Sequence, residues 1–375
     1  MADAILRPSG GAQWAYCGFS YAAQQAFPEL ADSEHAREGN AAAYYVAETL
    51  LGREPPIGTL APNGHPIDAE MVECGKVYID HCRKIMADAS PRALLRVETK
   101  LTMHGLIHPL NEGTPDFFGV DVEKRQIRVP DFKYGHLGVD AYMNVQLIDY
   151  AAGACEALEL TREDVADWLI VLEIVQPRCY KREGAVDTWT ISGAHLFDLI
   201  DWLAQRAEYA TRPDAMATTG EHCFHCSANI HCSAFQRVGG AAMDAARRAV
   251  VADLPNDALA LQLKLVRRAQ ATLKAMASGL EVLAAHKLRA GERLPGFAME
   301  SKAGVQGWTD PKEALQVASL CGVDLRKPPM TTTVLTPKQA LAAGFPDELL
   351  PLYTTRKSSI ELTEVDDNAA AKAFR

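Results

Sequence analysis

The sequence lacks any apolar run of the ~18–20 residues that a membrane-spanning helix requires, so no membrane partner is expected. Its first residues, Met1-Ala2-Asp3-Ala4-Ile5-Leu6-Arg7-Pro8, show neither a basic start nor an apolar core. A secretory signal is therefore not expected, and the cytoplasm is the default compartment. No G-x-x-x-x-G-K-[ST] loop occurs, so no ATPase or helicase motor is expected, and H-E-x-x-H and G-x-S-x-G are missing as well. Positive charge is in deficit. Against 48 Asp and Glu stand 38 Lys and Arg, a net charge of −10, which counts against a tight non-specific DNA binder. The deficit is uneven, because residues 241–375 hold 18 basic and 15 acidic side chains. Nine cysteines in a chain of this compartment argue against a disulfide scaffold, and the spacing of some of them argues for a metal site.

With 48% hydrophobic and 23% charged residues, the chain is an ordinary globular sequence, long enough for two domains or one large one at roughly 150 residues each. Its most informative stretch is Gly113-Thr114-Pro115-Asp116 followed by Ile127-Arg128-Val129-Pro130-Asp131-Phe132-Lys133. Two strands joined by a turn at Glu123-Lys124-Arg125-Gln126 are predicted here. Alternation along a strand points Asp131 and Lys133 one way and Phe132 into the core, where Asp116 of the neighbouring strand can meet Asp131. Two carboxylates brought together call for a cation, and hard oxygen ligands suit Mg2+ or Mn2+. Such a metal polarises a phosphoryl oxygen and acidifies a water, while a lysine beside it can stabilise developing negative charge. The plainer alternative is a surface hairpin with an exposed Asp–Lys ion pair. A helix is predicted over Val139–Leu158, and it places Gln146 and Tyr150, four apart, on one face.

Gly-x-x-Asp, then Asp-x-Lys, then Gln-x-x-x-Tyr resembles the signature order of RecB-like nucleases of the PD-(D/E)XK superfamily. The residues are Gly113 to Asp116, Asp131-Phe132-Lys133, and Gln146 to Tyr150. Asp131-Phe132-Lys133-Tyr134-Gly135 with a downstream cysteine cluster looks like a phage and prophage group of that superfamily, and the likeness spans residues 5–235 by motif order. The resemblance implies a restriction-endonuclease-like α/β fold, a mixed sheet flanked by helices. It implies a metal held by Asp116, Asp131 and the Phe132 carbonyl, with Lys133 positioning the attacking water and Gln146 and Tyr150 holding the strand or the metal shell. A DNA exonuclease in phage recombination or replication inside a bacterial host follows, with a single-strand annealing protein as partner. Glu98, near the centre of a strand predicted over Leu94–Leu101, either faces this centre or is a solvated strand residue. The family's early-helix histidine is replaced, since Glu38-Gly39-Asn40-Ala41-Ala42-Ala43 carries alanine at its place. The alternative function is accordingly a catalytically weak or inactive nuclease-fold module that binds DNA or a partner.

Cys223, Cys226 and Cys232 follow C-x2-C-x5-C, one thiolate short of a four-ligand set, and Cys17 is the natural fourth. This split pattern resembles the 4Fe–4S staple of AddB-type helicase-nucleases and of the CRISPR adaptation nucleases. Zn2+ in a Cys3His site with His225 or His231 is the rival. Cys74, Cys82, Cys155, Cys179 and Cys321 have no ligand spacing and read as small core residues.

The predicted organisation is a nuclease domain over 1–238, a boundary at Gly239-Gly240, a long amphipathic helix region over 239–293, and a small α/β appendage over 294–375. Helices are expected over Ser33–Leu51, Asp68–Asp88 and Ala194–Thr211, and a doubly covered strand over Trp168–Val175. In the long helix Leu259, Val266, Leu273 and Leu280 repeat every seven residues, and Arg267, Arg268 and Lys274 lie off that seam, facing either phosphate or solvent.

Overall fold

The computed structural model describes residues 6–27, 34–179, 184–246, 254–325 and 335–364. The chain divides into two units, Met1–Gly279 and Leu280–Arg375. In chain order the first contains α1 (Gly11–Tyr16), α2 (Ser20–Ala26), α3 (Glu34–Leu50), α4 (Ala69–Asp88), β1 (Leu94–Val97), β2 (Leu101–Thr102), β3 (Glu112–Gly113), β4 (Phe117–Asp121) and β5 (Gln126–Phe132). It continues through α5 (Val145–Ala157), α6 (Arg162–Val165), β6 (Leu169–Val175), β7 (Val186–Ser192), α7 (Gly193–Ala210) and α8 (Ser233–Ala246). The division falls within α9 (Asn256–Arg289).

Five strands form one mixed sheet in the order β1-β4-β5-β6-β7. β5 and β6 run parallel, from Gln126↔Leu169 to Phe132↔Val175, and the other neighbours are antiparallel. A parallel pair needs a crossover, and α5 lies in the connection between them. Alternation sorts the sheet's side chains between two cores. Phe118, Val120, Ile127, Val129, Ile170, Leu172 and Ile174 join the core that α5 and α7 cover, whereas Phe117, Phe132 and Val175 join the α3 and α4 core. The sheet is thus a mixed α/β layer flanked by helices. β6 is the doubly covered strand expected, with six of its seven residues buried.

α5 is buried almost all round, which explains its composition. Ala151, Ala152, Gly153 and Ala154 let it approach β2 closely, and a Cβ at Gly153 would lie 2.8 Å from Met103 Sδ. Asn144 fixes its start by accepting from the main chain of Gln146 and Leu147 at 3.1 and 3.3 Å. The helix therefore begins at Val145, six residues later than its apolar content suggested. The preceding segment is a pinned loop. Gln176 Nε2 donates to the carbonyls of Gly135 and Leu137, both at 2.7 Å, its Oε1 accepts from Val139 N at 3.0 Å, and Asp187 Oδ2 accepts from Ala141 N at 3.0 Å.

Other boundaries also move. β1 ends at Val97, and Glu98 follows it with φ 44°, so Glu98 stands in a turn rather than mid-strand. Gly239-Gly240 lies inside α8, where a Cβ at Gly239 would come within 2.3 Å of Met276 Sδ. Gly239 thus marks a close helix contact, while a Cβ at Gly240 would meet open space.

The second unit contains β8 (Phe297–Trp308), α10 (Pro311–Leu320), α11 (Pro337–Ala342), α12 (Leu350–Tyr353) and β9 (Thr354–Glu364). β8 and β9 pair antiparallel, a pairing the sequence reading missed. α10 and α11 both open on proline, Pro311 and Pro337, and Thr336 caps the second by accepting from Gln339 N. Pro328-Pro329 and the tail beyond Glu364 lie outside the described residues.

Candidate active site and cysteine pocket

Asp116, Asp131, Lys133, Gln146 and Tyr150 converge on the α5 side of the sheet, at the carboxyl end of β5. Asp116 sits just before β4, and its Oδ2 accepts the Phe132 main-chain N–H at 2.7 Å. Gly113 permits the turn leading to it, since a Cβ there would meet Pro8 Cδ at 2.6 Å and Tyr150 Cε1 at 3.1 Å. Tyr150 Oη holds the same turn by donating to the Thr114 carbonyl at 3.1 Å. The Phe132 ring points away into the opposite core, 5.2 Å from the Tyr78 ring.

Asp131, Lys133 and Gln146 close a triangle. Gln146 Nε2 donates to Asp131 Oδ1 at 3.0 Å, and Lys133 Nζ donates to Gln146 Oε1 at 2.9 Å. The Lys133 ammonium lies 2.8 Å from Asp131 Oδ2 without being aligned as a hydrogen bond, so this buried oxygen has charge beside it but no donor aimed at it. Lys133 N donates to the Val175 carbonyl at 3.0 Å, which extends the β5–β6 ladder through the lysine.

The electrostatics are those of a crowded anionic site. Burial, and then the charge of Asp131, push the Asp116 carboxyl well above the usual range, while Lys133 and the Phe132 N–H oppose the rise. Burial works against the charge of Lys133, but Asp131 and Asp116 outweigh it and hold its pKa above the ordinary lysine value. Glu98 is exposed, yet partial desolvation raises its carboxyl, and its charge is felt at Asp116. Asp116 and Asp131 therefore face the one ammonium of Lys133, with Glu98 adding negative charge at Asp116. Among the described residues, no three His, Cys, Asp or Glu side chains already stand as a closed metal-ligand set. Lys133 is the cation nearest Asp131 in this arrangement.

Beside this site Asp149 is wholly buried, and burial drives its carboxyl far up despite the Asn111 Nδ2 donor 3.1 Å from its Oδ2. Asp149 Oδ1 and Asn111 Oδ1 both lack a partner, and with so little to stabilise a charge the Asp149 carboxyl holds its proton. A folded pKa raised above the unfolded one gives stability that is complete below the unfolded value and is lost as pH rises through the folded value. Asp149→Asn is expected to flatten the alkaline side of the stability profile. Urea midpoints of both proteins in neutral and alkaline buffer check this, and parallel losses with pH would refute it.

A second cluster gathers cysteines from the two ends of this stretch of chain. Cys17, which ends α1, and Cys223, Cys226 and Cys232 line a single cavity of about 20 Å³. Cys223 lies in the turn Glu221–His225 and Cys232 directly follows the turn Asn229–His231, which packs on α9 where Gly279 leaves room for Asn229 and Ile230. His222 also lines the cavity, but His225 and His231 do not. The His231 ring stacks on Phe27 at 4.0 Å, and the His225 carbonyl accepts from Gln13. Of the histidines in this region, it is His222, directly before Cys223, that lines the cavity, and not the His225 or His231 named from spacing. His222 Nε2 lies 2.9 Å from the Thr218 carbonyl, while the ring bonds the Cys17 and Cys223 sulfurs. Gly220 N donates to Cys223 Sγ at 3.5 Å. Burial would raise the Cys17 thiol, but His222 and the main chain at Thr218 and Phe19 outweigh it and hold it below its ordinary value.

A family model described as "Protein of unknown function (DUF2800)" matches residues 3–358. No curated protein matches the chain. Among the described residues no helix is long and apolar enough to cross a membrane.

Proposed function

This chain belongs to the DUF2800 family of proteins of unknown function, and we propose that it is a divalent-metal-dependent deoxyribonuclease, with DNA ends as substrate. The observation that carries the reading is the meeting of two neighbouring carboxylates, Asp116 and Asp131, with the Lys133 ammonium at the end of β5. The donor set is all oxygen and suits Mg2+ or Mn2+. When bound, the metal would polarise a phosphoryl oxygen and favour hydroxide over water as nucleophile. Asp116, Asp131 and the Phe132 carbonyl would hold it. Gln146 keeps Asp131 and Lys133 in register, so that Lys133 can orient the attacking water and meet negative charge on the phosphate. Tyr150 fixes the turn that carries Asp116. An exonuclease is preferred to a site-specific endonuclease because the motif order resembles end-processing enzymes, and a single-strand annealing protein is the partner this implies. The deciding assay offers linear duplex, single-stranded and circular DNA with Mg2+ and then Mn2+. Cleavage of linear but not circular DNA is expected.

Metal uptake has its own signature. With its pKa raised, the Asp116 carboxyl keeps its proton to higher pH than an ordinary aspartate, so binding of Mg2+ displaces a proton and affinity rises with pH. Calorimetry in two buffers of different ionisation enthalpy should show the released proton, and Asp116→Asn should abolish it. Identical observed heats in the two buffers for the wild-type protein would contradict this account of Asp116.

A second reading is a nuclease-fold module that binds DNA or a partner protein without cutting. The closed Asp131–Lys133–Gln146 triangle, which needs no metal to hold its shape, favours it, as does the alanine at position 43. Retained binding of DNA ends with no cleavage under either metal would select it.

A further inference from the structure

We infer that Tyr142, Trp189 and His195 form a stacking platform for the unpaired bases of a DNA strand that enters the site at the end of β5. This rests on reading that site as one that takes DNA ends, and it names the form of end preferred. The three rings touch in sequence. Tyr142 meets the Trp189 ring edge-on at 5.3 Å, and Trp189 meets the His195 ring edge-on at 6.1 Å. Tyr142 is 71% exposed, His195 is exposed, and Trp189 is half-buried against the core that α5 and α7 cover. The indole is thus anchored from below, and the two outer rings are left to solvent.

Sheet register places these rings beside the carboxylates. Trp189 pairs with Leu172, while Asp187 pairs with Ile174, which pairs in turn with Asp131. Directly paired residues share a face of the sheet, and so do residues two apart on one strand. Trp189 therefore lies on the face that carries Asp131, two strands and one pleat period away, roughly 12 Å at the usual rise and strand spacing. About three or four stacked nucleotides at ~3.4 Å each cover that distance. Tyr142 is also held firmly. Ala141 N donates to Asp187 Oδ2, Val139 N to Gln176 Oε1 and Asn144 Nδ2 to the Asp140 carbonyl, each at 3.0 Å. A large ring exposed on a segment fixed in this way loses little freedom when a ligand covers it.

The chemistry of the surface selects its occupant. Every base has a flat π-face, and an aromatic ring accepts it whatever the sequence. Asp140 and Asp187, each two residues before a platform ring, repel phosphate there, so the strand lies with its bases toward the rings. Duplex DNA hides its base faces within the stack and offers only those of the terminal pair, whereas an unpaired strand offers them all. The platform therefore favours an unpaired strand end over closed duplex.

The test is binding of fluorescein-labelled oligo-dT to the full-length chain in EDTA, where nothing is cut, read by anisotropy and by tryptophan quenching. The wild-type chain should bind it, and both an abasic oligonucleotide of equal length and a blunt hairpin duplex should compete poorly. Tyr142→Ala should weaken binding by roughly 5–150-fold, the range for losing one stacked base. Tyr142→Phe keeps the ring and should restore the affinity. The quenching should vanish in Trp189→Phe while anisotropy still reports a complex. Wild-type affinity in Tyr142→Ala, or equal competition by the abasic strand or the duplex, would overturn the platform. No binding of oligo-dT by the wild-type chain would overturn it too, and would leave a protein as the partner these rings fit. Binding that depends on Tyr142, with no cleavage under Mg2+ or Mn2+, would keep the platform and overturn the nuclease. Cleavage of DNA by a chain whose Tyr142→Ala variant binds as wild type would do the reverse.

Discussion

Replacing Lys133 by alanine is expected to lower cleavage of linear DNA by on the order of 10²–10³, the cost of losing one preorganised group that meets transition-state charge. Lys133 is held on two sides, by Asp131 at 2.8 Å and by Gln146 at 2.9 Å, so little reorganisation precedes its action. The fold should survive the substitution. The Lys133 side chain is 29% exposed, and its structural bond is the main-chain one to Val175, which alanine keeps. Asp131→Ala should also abolish cleavage, and in addition it releases Gln146 from its acceptor. Unchanged circular dichroism with lost cleavage would place the chemistry here. Wild-type cleavage by purified Lys133→Ala would falsify the assignment.

Arg128→Met is expected to cost about 3–5 kcal/mol of stability, the usual penalty for stripping one partner from a buried ion pair. Glu173 is 2% exposed on β6, opposite Pro130 of β5. Arg128 grips it twice, NH2 to Oε1 at 2.6 Å and Nε to Oε2 at 3.2 Å, and His81 Nε2 stands 3.1 Å from Oε1. Burial alone would raise the Glu173 carboxyl, but His81 and Arg128 outweigh it and depress the pKa. A depressed folded pKa contributes stability that is present above the unfolded value and is lost as pH falls through the folded value. The variant should lose that acid-side dependence along with the stability. Adding Glu173→Gln should recover part of the loss, because a neutral amide needs no counter-charge. Urea unfolding measures both, and a single-variant loss below about 1 kcal/mol would show that His81 suffices as partner.

The motif positions were legible because period and position coincide there. Asp131 and Lys133 share a strand face, Gln146 and Tyr150 share a helix face, and no long-range knowledge was needed to place each pair. β6 was legible from its unbroken apolar run. Glu98 was misplaced because Leu94–Leu101 reads as one strand by composition, and nothing local announces a positive φ at a glutamate. The start of α5 was misjudged because residues 139–144 are apolar enough for a helix, while the bonds that hold them open come from Gln176 and Asp187, more than 35 positions away. His222 was missed because candidate ligands were sought within the span from Cys223 to Cys232. The five-residue turn Glu221–His225 is too short for any periodicity to reveal which of its histidines faces the cavity.

The parallel pairing of β5 with β6 also has a consequence during synthesis. Asp131 and Lys133 leave the ribosome well before their surroundings, since Lys133 is anchored by Val175 and the loop beyond it by Gln176. Until that later segment has emerged and docked, the nascent chain has the acidic and basic groups but no geometry to hold them. A polypeptide aborted before Val175 would thus lack the anchor that holds Lys133 beside Asp131. The cysteine cavity is completed later still, because its wall at Cys17 meets Cys223 only once that residue has emerged.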